Sequence, residues 1–148
     1  MPVAGITKDL IPDTVFGLQY QHEGGQRYRF FVLEADRSTE PVNTGNTHRK
    51  SIARSLSQYR EYVVGGPYKE HLKLTAPLLV LNVTTAPERL QNLLALTTKE
   101  AGAGGNSYQL FQCWSAFGAI FKPPAPKLDL LTGMWQRAGC EDFCIGVV

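Results

Sequence analysis

The stretch "PLLVLNVT", Pro77 to Thr84, is apolar at almost every position. A strand exposed on one face alternates apolar and polar residues, whereas a near-continuous apolar run needs strands on both sides and cover above and below. The chain therefore has to build a sheet around this segment. The next residues fit that demand: "TAPERLQNLLALTTKEAGAGG" reads as a helix with a capping box from Thr85 to Glu88, Leu90, Leu93 and Leu94 turned inward, and a glycine-rich stop. Strand then helix is the pattern of an α/β domain.

Upstream, "TVFGLQYQ" and "RYRFFVLEA" are rich in Val, Phe, Tyr and Leu, and "EGGQ" between them supplies glycines able to take positive φ. Together they read as a β-hairpin. A turn centred on Gly24 and Gly25 places Asp13 opposite Asp36, with Glu34 two residues from Asp36 on the same face and diagonal to Asp13. Three carboxylates on neighbouring strands are what a hard divalent cation such as Mg²⁺ or Mn²⁺ requires, with positions left for water and a phosphate oxygen. Without an ion, the crowded acids repel one another. The alternative is that Asp13 is an ordinary turn residue after Pro12 and that Glu34 and Asp36 end a strand in solvent. A register slip of one would turn Asp13 to the other face.

The segment "THRKSIARSLSQYREYV" spaces Ile52, Leu56, Tyr59 and Val63 as one face of a helix. Arg49, Lys50, Arg54 and Arg60 crowd its first turns and polar flank, where they serve either as a solvated face or as phosphate contacts. Tyr59 and Tyr62 read as packing residues. "GGPYKEHLKLTA" is expected to be a loop, broken by Gly65, Gly66 and Pro67. "SYQLFQCWSAFGAIF" reads as a strand with an aromatic extension, "KPPAPKLDLL" as an extended proline loop, and "EDFCIGVV" as an edge strand. Trp114, Phe117 and Phe121 would suit base stacking but are more commonly core.

Composition narrows the class further. At 148 residues with 43% apolar and 19% charged side chains, the chain fits one globular domain. A formal charge of +2 does not by itself call for a polyanion, so any basic surface must come from local clustering. No apolar run approaches the roughly 20 residues of a membrane span, and a cytoplasmic protein is expected. Cys113, Cys140 and Cys144 suit reduced thiols better than a disulfide framework, and His22, His48 and His71 are too scattered for a zinc site.

In order along the chain, "IPDTVFGLQY", "FFVLEADRSTEPV", "SIARSLSQYREY" and "LLVLNVTTAPERLQNLL" resemble the plasmid replication-relaxation protein family, whose core is similar to that of PD-(D/E)XK nucleases. The resemblance runs from about Leu10 to Thr97. It implies a restriction endonuclease-like α/β/α sandwich with a mixed sheet opening in a β-hairpin. Residues 1–148 are expected to form one nuclease-like domain without the winged-helix segment that usually precedes it in that family. Asp13 and Glu34 match the metal-binding acids of the superfamily. Asp36 stands where a signature lysine is usual, leaving Arg54 or Lys50 to supply the cation, and Gln58 to orient a water.

Two functions are consistent with these expectations. One is metal-dependent cleavage or nicking of DNA, with the ion held by Asp13, Glu34 and Asp36 and phosphate met by Arg49, Lys50, Arg54 and Arg60. The other is a nuclease-like domain kept for binding DNA or a replication or mobilisation partner. A homodimer is also expected, because the exposed apolar tail "FCIGVV" and the aromatic segment ending at Phe121 offer more strand-like surface than one small sheet easily covers.

Overall fold

The computed structural model describes residues 11–36, 52–114 and 128–147, excluding the side chains of residues 52–54. Arg49 and Lys50, with Phe117 and Phe121, lie outside the described residues, and so does the side chain of Arg54. The described chain is mixed α/β. Six strands form one sheet in the order of the sequence: β1 (Thr14–His22), β2 (Gly25–Asp36), β3 (Leu78–Thr84), β4 (Gln109–Cys113), β5 (Trp135–Arg137) and β6 (Cys140–Phe143). The pairs β1–β2, β4–β5 and β5–β6 are antiparallel, whereas β2, β3 and β4 run parallel.

The parallel strands need crossovers, and helices supply them. Helix α1 (Ile52–Val64), followed by the short α2 (Pro67–His71), links β2 to β3, and α3 (Pro87–Ala101) links β3 to β4. Right-handed crossovers that add strands in one direction put their helices on one face of the sheet. Packing bears this out. Val32 and Val80 meet Tyr59 and Tyr62 of α1, while Phe111 of β4 meets Leu56 of α1 and Leu90 and Leu93 of α3. The other face buries Phe31, Leu81, Val83 and Leu110 against Trp135 and Ile145. Strand β3 is central and buried on both faces, as its composition requires.

The hairpin departs from the expected register. His22 pairs with Gly25 and Thr14 with Leu33, so the turn is centred one residue earlier, on Glu23 and Gly24. The His22 ring accepts the Gly24 N–H at 3.0 Å, and Gly25 absorbs a φ of 116° as the second strand begins. Asp13 precedes the paired residues of β1 and meets the Leu33 carbonyl and the Ala35 N–H, so it does not pair with Asp36. A shift of two leaves each side chain on its expected face.

Three further expectations are corrected. The "GGPYKEH" loop contains α2, because Pro67 starts a helix without needing an N–H partner and Tyr68 anchors it in the core. The start of α3 is not a capping box: Ala86 occupies the cap position and contributes no side-chain bond, while Pro87 presets the first helical φ. The carboxyl-terminal tail is not exposed throughout, since Ile145 is fully buried and its carbonyl accepts the Tyr20 hydroxyl, while Val147 is exposed. The proline segment lies mostly outside the described residues, but its end forms a short helix, α4 (Asp129–Thr132). Among the described residues no helix is long and apolar enough to cross a membrane.

Candidate functional site

Ligands of open α/β sheets gather at the carboxyl ends of parallel strands, where the chain leaves the sheet for its helices. In this chain that edge carries Glu34 and Asp36 at the end of β2, Thr84 at the end of β3, and the start of α3. Asp13 adds to it from the hairpin. Parallel pairing aligns Glu34 with Asn82 and Asp36 with Thr84. Glu34 and Asp36, two apart on β2, leave the sheet on the face that α1 and α3 cover.

Each acid has a partner supplied by the protein. The Asp13 backbone N–H donates to the Leu33 carbonyl at 3.1 Å, and its carboxylate accepts the Ala35 N–H at 2.8 Å. Asp13 thus continues the β1–β2 ladder with a side chain where the strand has ended. Glu34 accepts a hydrogen bond from the hydroxyl of Tyr59, which is fully buried on α1. Asp36 pairs with Arg89 of α3, both side chains being largely shielded at 9% and 13% exposure.

Tyr59 reports on the charge at this corner. Burial pushes its hydroxyl well above the usual tyrosine range, and the negative charges of Glu34 and Asp13 push it further. Both carboxylates therefore act on one phenol. Tyr59 stays protonated as a donor and does not offer a phenolate nucleophile.

The structure brings Asp13 and Glu34 to one corner and turns Asp36 to Arg89. Among the described residues no three Asp, Glu, His or Cys side chains gather closely enough to hold an ion. Each acid accepts a hydrogen bond from the protein, Asp13 from a backbone amide, Glu34 from a phenol and Asp36 from a guanidinium. Gln58 is buried, at 2% exposure, and does not present an open surface to a reacting water. Arg60 is exposed and lies away from the acids, beside a cleft of about 160 Å³ that Leu56, Thr97, Glu100 and Tyr108 also line. There, burial raises the Glu100 carboxyl and the positive charge of Arg60 partly offsets it.

Arg89 is the residue that sequence reasoning missed. It lies 53 positions from Asp36 and reaches it only because α3 starts beside the end of β2. The available signal was an arginine in the first turn of a helix just after a central strand. Comparison with protein-family models, with curated proteins and with solved structures finds no match to this chain.

Proposed function

We propose that this chain is a DNA-acting domain of the plasmid replication-relaxation type, built on a restriction endonuclease-like core with a mixed sheet, that binds DNA without cleaving it. What supports the core is the succession of antiparallel hairpin, helix, parallel strand, helix and parallel strand, with Asp13 and Glu34 at its acidic corner. The observation that carries the binding role is the Asp36–Arg89 pair. At the position where the nuclease signature has a lysine to steady developing phosphate charge, this chain has an acid, and a guanidinium already neutralises it. Binding to a short labelled duplex in the presence of chelator tests the proposal. Retardation that needs no metal and weakens with salt is the expected result; retardation only with Mg²⁺ or Mn²⁺ counts against it.

A second reading keeps catalysis. The negative charges of Asp13 and Glu34 both raise the Tyr59 hydroxyl. Mg²⁺ or Mn²⁺ held there would polarise a phosphoryl group and generate a nucleophile from water. Nicking of supercoiled DNA that chelator abolishes would favour this reading.

A further inference from the structure

We infer that the sheet face opposite α1 and α3 carries the DNA contact, a phosphate-binding surface made by Arg27, Arg29 and Arg137 around the Phe143 ring; the inference rests on the DNA-acting reading above. The guanidiniums of Arg29 and Arg137 each lie 5.1 Å from the centroid of the same Phe143 ring, and Arg29 also lies 5.0 Å from the Tyr20 ring. Arg27 pairs with Tyr20 across the hairpin, so it leaves the sheet on the same face. Strand β2 and the β5–β6 hairpin thus bring Arg29 and Arg137 together from distant parts of the chain, with Arg27 on the same sheet face.

Two of these cations, Arg29 and Arg137, are held in place but not neutralised. Arg29 donates to the Val147 carbonyl at 3.0 Å, and Arg137 donates to the carbonyls of Glu141 and Ser107 at 2.6 and 3.4 Å. Among the described residues, none of the three forms an ion pair with a carboxylate; the nearby acids of β6, Glu141 and Asp142, are exposed. Carbonyls and ring faces fix guanidinium positions without cancelling their charge. Like charges held this way repel, and a phosphate backbone relieves that repulsion with oxygens that match the planar guanidinium fork.

The same geometry limits what is read. Two guanidiniums already lie over Phe143, so the ring orders cations instead of stacking a base. Contacts confined to phosphates position DNA without reading its sequence. The surface also faces away from the acidic corner, because Arg29 and Glu34 differ by an odd number of positions on one strand and leave opposite faces. DNA lying on these arginines does not meet Glu34 or Tyr59, which agrees with binding in the absence of cleavage.

Fluorescence anisotropy of a short labelled duplex, titrated with wild-type protein and with R29Q/R137Q between about 50 and 200 mM salt, tests the surface. The double variant should lose about tenfold or more in affinity at the lower salt, and its plot of log affinity against log salt should be shallower by about two. R27Q, on an exposed side chain that fills no core, should lower the slope by about one and keeps the test valid if the double variant melts early. Lys99→Gln, on the outer side of α3, should change neither quantity by a comparable amount. Wild-type binding that R29Q/R137Q and R27Q leave unchanged would overturn this surface while the DNA-acting reading stands. Wild-type protein that binds no duplex at all would overturn both.

Discussion

The buried hydroxyl of Tyr59 donates to the carboxylate of Glu34, tying the middle of α1 to the end of β2. The contact joins the two halves of the candidate site and makes the corner sensitive to alkali. The folded Tyr59 phenol titrates above its unfolded value of 10.0, because burial and two carboxylates oppose the phenolate. Its contribution to stability is therefore complete below that value and is lost as pH rises above it. In denaturant melts, wild-type stability should fall with pH above 10.0, and Tyr59→Phe should remove up to about 1.4 kcal/mol per pH unit of that slope. At neutral pH the same variant should be about 1–3 kcal/mol less stable, because Glu34 loses a buried donor. Equal alkaline slopes in both proteins would contradict this.

The Asp36–Arg89 pair fastens the start of α3 to β2 across two shielded side chains. Truncating one partner leaves the other charge poorly compensated, so Arg89→Met should cost about 3 kcal/mol. Asp36→Leu with Arg89→Met should recover part of that loss, giving a coupling of about 1–3 kcal/mol in a double-mutant cycle. Strict additivity would show that the two residues do not interact.

Asp13 completes the strand ladder by accepting the Ala35 N–H. An asparagine oxygen accepts the same bond, so Asp13→Asn should change stability by about 0.5 kcal/mol or less, whereas Asp13→Ala should cost about 1 kcal/mol. Millimolar Mg²⁺ or Mn²⁺ should leave the melting temperature of wild type and Asp13→Asn alike. A metal-dependent rise in wild type that Asp13→Asn abolishes would restore the ion site.

Gly17 tests the hairpin register. It pairs with Phe30, whose ring lies where a side chain would begin; a Cβ on Gly17 would approach Phe30 Cε1 to 2.8 Å. Gly17→Val should therefore displace Phe30 and cost about 1–3 kcal/mol by overpacking, despite valine's preference for strands. A valine variant as stable as wild type would contradict the observed pairing.

Much of this was legible in the sequence where pattern and burial agree. The unbroken apolar run of β3, the leucines of α3 and the tyrosines of α1 each has one environment that satisfies it, and each is found there. The hairpin was legible but its register was not, because both Gly24 and Gly25 could accept the turn; in the structure the His22 ring accepts the Gly24 N–H. Glu34 and Asp36 lie two apart on β2 and leave one face, but their partners were not visible in the sequence. Arg89 and Tyr59 come from helices whose approach to β2 is set by crossover geometry and not by local sequence. The cluster at Phe143 was hidden for the same reason, since Arg29 and Arg137 are brought together only when the last hairpin joins the sheet.

Binding without cleavage is decided by incubating supercoiled plasmid with the protein and millimolar Mg²⁺ or Mn²⁺, with mobility read before and after the protein is stripped. A domain that only binds should retard the plasmid and release it fully supercoiled once the protein is removed. Nicked or linear plasmid that appears only with metal and disappears with chelator would contradict the binding role.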